Sequence, residues 1–172
     1  MTVCTANRQC LFGDVADRGM ALNEAGRMVE KWWAELANKF PSVKTRQYIV
    51  MPNHFHGIVA LVGADLCVCP VPRMPDERGA QMPGERGAHT GAPLPQIVQW
   101  FKTMTTNGYI RGVKHRGWAP FQGKLWQRNY YEHVIRSQDE LDRVRRYILD
   151  NPSKWSDDVE NPRNKTGSHP TA

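Results

Sequence analysis

Residues 43–62, VKTRQYIVMPNHFHGIVALV, contain two runs of β-forming residues, and the fold prediction starts from them. The runs at 43–50 and 57–62 predict strands, because each is rich in branched and aromatic side chains. Pro52 cannot donate to a strand ladder, so the intervening Met-Pro-Asn predicts a bulge, an edge or a joint between strands. If a strand includes His54 and His56, both side chains project from one face of it.

The chain before this region predicts a strand, a hairpin and a helix. Alternating residues from Thr2 onward predict a strand that starts almost at the first residue, which suggests a trimmed N-terminus. Residues 14–23 contain two short β-prone pieces that indicate a hairpin or a loop. From residue 25 to residue 40, apolar side chains recur at helical spacing after Asn23, a candidate N-cap, and the two tryptophans of this helix are expected in the core.

The chain after this region predicts a helix, a strand and a second helix. Residues 95–111 have helical spacing, whereas the aromatic residues within 123–136 lack it, so part of that stretch is expected to be a strand. Ser137 and Glu140 form a capping box, in which the carboxylate reaches back to the cap, and the helix should end near Asp150. The predicted element order is therefore β, α, β, β, α, β, α.

Two segments lack the pattern of a folded core. Residues 70–95 are rich in Pro, Gly, Arg and Glu and contain two near-identical octamers, MPDERGAQ and MPGERGAH, which predict a flexible insertion. Residues 156–172 are polar without a period and predict a disordered tail. The expected organisation is one domain over residues 1–155 that carries this insertion and is followed by the tail.

The composition favours a polyanionic partner such as nucleic acid. The chain has 23 Lys and Arg against 17 Asp and Glu, a formal net charge of +6. Its four cysteines form no C-x-x-C pair, and the Cys67-Val68-Cys69 spacing is not that of a zinc knuckle. No N-terminal segment resembles a signal peptide, and the longest apolar run is far shorter than the ~20 residues of a membrane span. These features predict a reduced, cytoplasmic protein without a membrane partner.

Two constellations have the residue types of an active site. His54 and His56 could ligate one cation from the same strand face, and the alternative is that both simply pack and form hydrogen bonds. Tyr147 and Asn151 are four residues apart, so they share a face of the last helix. A tyrosine there usually packs with its hydroxyl in water, but it becomes a nucleophile when a nearby cation stabilises the charge that develops.

Four segments in order, MPNHFHGI, WFKTMTTN, LWQRNYYEHVIR and YILDNPSKW, closely resemble the REP-associated tyrosine transposases, relatives of the single-tyrosine insertion-sequence transposases. The resemblance extends from Thr2 to about Trp155, and the insertion at 70–95 is the part least similar to the family. It implies a ferredoxin-like α+β domain with a central antiparallel sheet and helices packed on one face. It also implies an endonuclease of the HUH class, named for the His-hydrophobic-His motif.

The resemblance also implies roles for individual residues. His54 and His56 would bind Mg²⁺ or Mn²⁺, with Asn151 as a further ligand or orienting group. Tyr147 would attack single-stranded DNA near a palindromic hairpin, leaving a 5′-phosphotyrosine and a free 3′-hydroxyl. Apart from the resemblance, the candidates for phosphate contacts are Lys102, Arg128 and Arg136, and the alternative for each is a solvated surface charge.

Other interpretations stay open at this point. Tyr130 and Tyr131 are rival nucleophiles, although the family match gives their motif structural and substrate-contacting roles. His133 is expected to be a hydrogen-bonded structural residue rather than a ligand. A hairpin-binding protein without catalysis, or a phosphodiesterase that uses water as its nucleophile, would share many of these features. The protein is expected to be a monomer or a homodimer.

Overall fold

A computed structural model describes residues 1–17, 19–62 and 93–165 of the chain. The two octamers and Cys67 and Cys69 lie outside the described residues, as do most of the predicted insertion and residues 166–172. No helix in the described ranges is both long enough and apolar enough to cross a membrane.

A three-stranded antiparallel sheet forms the centre of the fold. The strands are β1 (Thr2–Cys4), β4 (Val43–Val50) and β5 (His54–Leu61), in the order β1-β5-β4. The Met-Pro-Asn interruption is the joint between β4 and β5, where the Met51 amide donates to the His54 carbonyl at 2.8 Å. A separate hairpin, β2 (Gly13–Ala16) and β3 (Gly19–Leu22), occupies the place where a hairpin or loop was predicted.

The predicted strand within residues 123–136 is reduced to two bridges. Trp126 pairs with Thr5 and Tyr131 pairs with Thr2, so this segment runs along the free edge of β1. Between the bridges, the carbonyls of residues 127–129 accept hydrogen bonds from the Lys102 ammonium, which breaks the ladder. We call residues 123–136 the edge segment. The strands lie in the spatial order edge segment, β1, β5 and β4, and all neighbours are antiparallel. This order confirms the predicted ferredoxin-like α+β class.

Two long helices cover one face of the sheet. They are α1 (Glu24–Lys39), capped by the Asn23 side chain as predicted, and α2 (Leu94–Arg116), which extends beyond its predicted range. Phe55 of β5 contacts Trp33 of α1 and Phe101 of α2, with ring centroids 4.8 and 5.0 Å apart. The tryptophan ring lies so close to β5 that a Cβ atom at Gly57 would be 2.6 Å from it. This aromatic layer is the hydrophobic core, as expected for the tryptophan-bearing helix.

The third helix, α3 (Gln138–Asp150), lies on the opposite face, because it contacts the side of β5 from which His56 projects. The Ser137 hydroxyl accepts from the Glu140 amide at 3.2 Å, as the capping box predicts. The other half of the box differs, since the Glu140 carboxylate accepts from the Arg136 amide and contacts His133 instead of reaching the cap residue. The helix ends at Asp150, as predicted.

The prediction of disorder from residue 156 is wrong as far as residue 165. Short 3-10 helices form at Pro152–Asp157 and Pro162–Lys165. Arg8 holds this segment to the N-terminal region through an ion pair with Glu160 at 3.1 Å, and the Asn53 amide donates to the Glu160 carbonyl at 2.7 Å. The segment therefore covers the same sheet face as α3.

Candidate active site

The two histidines lie side by side on one face of β5. The strand starts at His54, three residues earlier than predicted, so the i and i+2 geometry applies to both rings. Their centroids are 4.6 Å apart, and both side chains are buried. Phe55 between them points into the core, and this anchors the strand and fixes the direction of both imidazoles.

Hydrogen bonds to neighbouring side chains determine which nitrogens are left for a ligand. The Asn53 amide group donates to the carbonyls of Arg8 and Glu160, at 3.1 and 2.7 Å, which leaves its oxygen as an acceptor. His54 Nδ1 lies 2.9 Å from that oxygen and must therefore carry a proton. In the neutral ring, His54 Nε2 then presents a lone pair. His56 Nδ1 is hydrogen-bonded to the Thr2 hydroxyl at 2.8 Å, so Nε2 is the nitrogen of this ring that is left for a ligand.

The last helix brings Tyr147 and Asn151 to the histidine pair. The Tyr147 ring meets the His56 ring edge to face at a centroid distance of 5.3 Å, while about half of the tyrosine remains exposed. Asn151 is buried at the C-terminal end of α3, where its backbone keeps helical angles despite the following proline. Both residues therefore share the helix face that the i, i+4 spacing predicted.

Three buried polar atoms at this site have no hydrogen-bond partner among the described residues: His54 Nε2, His56 Nε2 and Asn151 Oδ1. A buried polar atom without a partner costs about 1–3 kcal/mol, so three such atoms at one place make this a candidate site for a bound ligand or cation. Nitrogen and amide-oxygen donors suit a divalent metal ion. Within the described ranges, no three His, Cys, Asp or Glu side chains form a metal-binding group, so a cation at this place would have to draw on other donors, such as the amide of Asn151.

Burial keeps both histidines neutral. It lowers the pKa of His54 to about 4, although the Asp158 carboxylate and Asn151 oppose this shift. The pKa of His56 is lowered to about 3, chiefly by burial and then by the neighbouring His54 and the N-terminal ammonium. Neutral imidazoles are the form that binds metal.

The Tyr147 phenol is not activated by its own surroundings. Burial raises the pKa of Tyr147 and the Asp158 charge raises it further, while a hydrogen bond from Asn151 acts in the opposite direction. The hydroxyl is therefore protonated at neutral pH, and a nearby cation would be needed to favour its ionised form.

Three further residues lie at this site although none of them was predicted to belong to it. Asp158 Oδ2 lies 4.0 Å from His54 Nε2, and Trp155 packs against the His54 ring at 5.9 Å. Trp155 ends the YILDNPSKW segment but was given no role there, and Asp158 lies in the predicted tail, where no local pattern indicated a fold. Thr2 could have been inferred only from the strand alternation, once its pairing with His56 was known.

Lys102 is placed differently from the prediction. Its ammonium is largely buried and donates to the carbonyls of residues 127, 128 and 129 at 2.9–3.3 Å, so all three of its protons are used. The interpretation of this lysine as a phosphate contact is therefore wrong, and its charge holds the edge segment instead. By contrast, Arg128 and Arg136 are exposed and make no ion pair within the part of the chain described.

The remaining candidates lie around the site. His133 contacts the Glu140 carboxylate at 2.6 Å, which confirms a hydrogen-bonded structural residue. The Tyr130 ring lies under the Lys102 ammonium, 5.6 Å from its nitrogen, and packs against the core. Tyr131 is two-thirds exposed and points away from the core.

These features define a class of protein: an α+β domain with a buried histidine pair on its sheet and a tyrosine-bearing helix across it. The chain is 33% identical over 161 residues to an uncharacterized protein of Haemophilus influenzae, covering 92% of this chain and 81% of that protein. It belongs to the same protein family as this relative. No protein-family model matches the chain, and no solved structure matches it significantly.

Proposed function

We propose that this protein is a metal-dependent endonuclease and strand transferase that acts on single-stranded DNA through Tyr147. The observation that carries the proposal is the position of the Tyr147 ring, whose centroid lies 5.3 Å from that of the His56 ring, close to three buried polar atoms that have no hydrogen-bond partner among the described residues. A nucleophile next to a cation site is the arrangement that phosphoryl transfer requires. The resemblance to REP-associated tyrosine transposases supports the same reaction.

His54, His56 and Asn151 would hold a divalent ion, Mg²⁺ or Mn²⁺. When bound, the ion would polarise the scissile phosphate and favour the ionised form of the phenol. The protein supplies the geometry, because the Asn53 and Thr2 hydrogen bonds fix both imidazoles before any ligand arrives. The neutral state of the two rings avoids competition between a proton and the ion.

The reaction exchanges one ester for another. The Tyr147 oxygen loses its proton and forms a bond to phosphorus, while the bond from phosphorus to the 3′ oxygen breaks. The departing oxygen takes up a proton, which leaves a free 3′-hydroxyl and a 5′-phosphotyrosine. A second 3′-hydroxyl can reverse the step, and no external energy source is required because one phosphoester replaces another.

The charge distribution fits a DNA substrate. The formal net charge is +6, and Arg128 and Arg136 present exposed guanidinium groups on either side of Tyr131 in the edge segment. Such groups contact phosphates without reading sequence. From the resemblance to REP-associated tyrosine transposases, we propose that the protein recognises a palindromic hairpin beside the single strand.

The test is covalent attachment of the protein to a labelled oligonucleotide that contains a hairpin and a single-stranded flank, in the presence of Mn²⁺. We expect a product that survives denaturing electrophoresis with the wild-type protein and with Tyr131→Phe, the matched control. Tyr147→Phe should abolish it while the thermal unfolding of the protein stays cooperative. Hairpin binding without any covalent product would favour a binding protein, and hydrolysis that persists in Tyr147→Phe would favour a water-dependent phosphodiesterase.

A further inference from the structure

Tyr131 lies in the same cross-strand row as the histidine pair. Thr2 of β1 is paired with His56 on one side and with Tyr131 on the other, the latter through two hydrogen bonds of 2.8 and 3.0 Å. Residues directly opposite in antiparallel strands project from the same face. Tyr131 therefore faces the site side of the sheet, two strand spacings or ~10 Å from His56.

The neighbouring tyrosine confirms this direction. The Tyr130 ring packs against the core and lies under Lys102, so the alternation of the segment sends Tyr131 to the opposite face. Both hydrogen bonds to Thr2 fix its backbone. The point on the sheet from which the Tyr131 ring projects is thus fixed, while the ring itself is exposed.

Tyr131 differs from the other four tyrosines, because its side chain makes no specific interaction with another described residue. Each of the others has a ring contact or a cation above it: Tyr48, Tyr109, Tyr130 and Tyr147. Tyr131 has neither an aromatic neighbour nor a side-chain hydrogen bond among the described residues, and 66% of it is exposed. A single exposed aromatic ring is common on protein surfaces, and what distinguishes Tyr131 is its position.

That position is at the β1 edge of the sheet, away from the elements that cover the site. Helix α3 contacts β4, the strand at the opposite edge of the sheet from Tyr131. The segment after α3 covers the His54 end, where Glu160 is tied to Arg8 and Asp158 faces His54. The edge beside Thr2 and Tyr131 is where a strand of DNA could reach His56 and Tyr147 without displacing either element.

We infer that Tyr131 is a stacking platform for one unpaired base next to the scissile phosphate. The inference rests on the proposed function, because it assigns the substrate of the same site. An aromatic face accepts any base, and stacking of this kind tolerates different sequences. Arg128 and Arg136, on the same segment, would contact the phosphates on either side of the stacked base.

The experiment measures binding separately from cleavage. All variants carry Tyr147→Phe, and fluorescence anisotropy with Mn²⁺ reports the affinity for a hairpin oligonucleotide with a single-stranded flank. Tyr131→Ala should weaken binding about 5- to 150-fold, the range of one stacked base. Tyr131→Phe should bind as the parent does, because the ring is needed and the hydroxyl is not. Urea unfolding of each variant serves as the folding control.

Oligonucleotides with one abasic nucleotide locate the partner of the ring. An abasic nucleotide at one position of the flank should weaken binding by the parent protein. The same oligonucleotide should bind Tyr131→Ala almost as well as the unmodified one does. The inference would be overturned if the parent and Tyr131→Ala bound with equal affinity, or if the parent did not bind. It would also be overturned if Tyr131→Ala and Tyr131→Phe lost equal amounts of affinity. Covalent attachment by the protein with Tyr147 intact, measured in parallel, tells separately whether the proposed function holds.

Discussion

Acid should destabilise this fold through its two buried histidines. Both are neutral in the folded protein, with pKa values of about 4 for His54 and about 3 for His56, whereas an unfolded histidine has a pKa near 6.5. The unfolded chain therefore binds more protons as the pH falls below about 6.5, and stability is lost until the folded rings also titrate near pH 4 and 3. Between pH 7 and pH 5 each histidine should cost about 2 kcal/mol, or about 4 kcal/mol for the pair.

Urea unfolding in EDTA at pH 7, 6 and 5 measures this loss. The His54→Gln/His56→Gln double variant is the matched protein, because every other titrating group is common to both and cancels in the difference. We expect the wild-type protein to lose about 4 kcal/mol more than the variant between pH 7 and pH 5. Equal losses in the two proteins would show that the rings are not held neutral by burial, and the account of the cation site would fail with it.

Three further predictions concern individual side chains. Lys102→Met should lower the free energy of unfolding by about 2–3 kcal/mol, since three carbonyls lose their donor. Arg128→Met should change this free energy by less than ~0.5 kcal/mol but weaken DNA binding. Urea unfolding measures the stability of both variants, and fluorescence anisotropy measures their DNA binding. Asn151→Ala should weaken Mn²⁺ binding in calorimetry at least about tenfold, and unchanged affinity would remove the amide from the ligand set. Asp158→Asn should weaken Mn²⁺ binding about tenfold through the lost charge, while the exposed control Asp157→Asn should not.

Local patterns were sufficient for most of the fold. The Asn23 and Ser137 caps, the apolar spacing of α1 and the joint at Pro52 depend on nearby residues, and each lies where it was predicted. The edge segment was less predictable, because the lysine that breaks its ladder is about 25 residues away in sequence and belongs to another helix. Its buried ammonium could not be told from a surface charge without the tertiary structure.

The candidate site was predictable in part. The His54 and His56 spacing and the Tyr147 to Asn151 spacing are local, but whether the two pairs meet depends on how α3 crosses the sheet. Asp158 had no sequence signal at all, since polar residues after a helix usually indicate a tail. Long-range contacts from Arg8 and Asn53 to Glu160 fold that segment onto the site.

The most direct test of the central claim is the identity of the residue that becomes attached to DNA. After reaction with Mn²⁺ and a cleavable oligonucleotide, digestion with nuclease and trypsin should yield a nucleotide on the peptide YILDNPSK, which contains Tyr147 as its only tyrosine. Mass spectrometry would locate the adduct, which should be absent when EDTA replaces the metal. An adduct on NYYEHVIR instead, or attachment that is indifferent to the metal, would contradict the account.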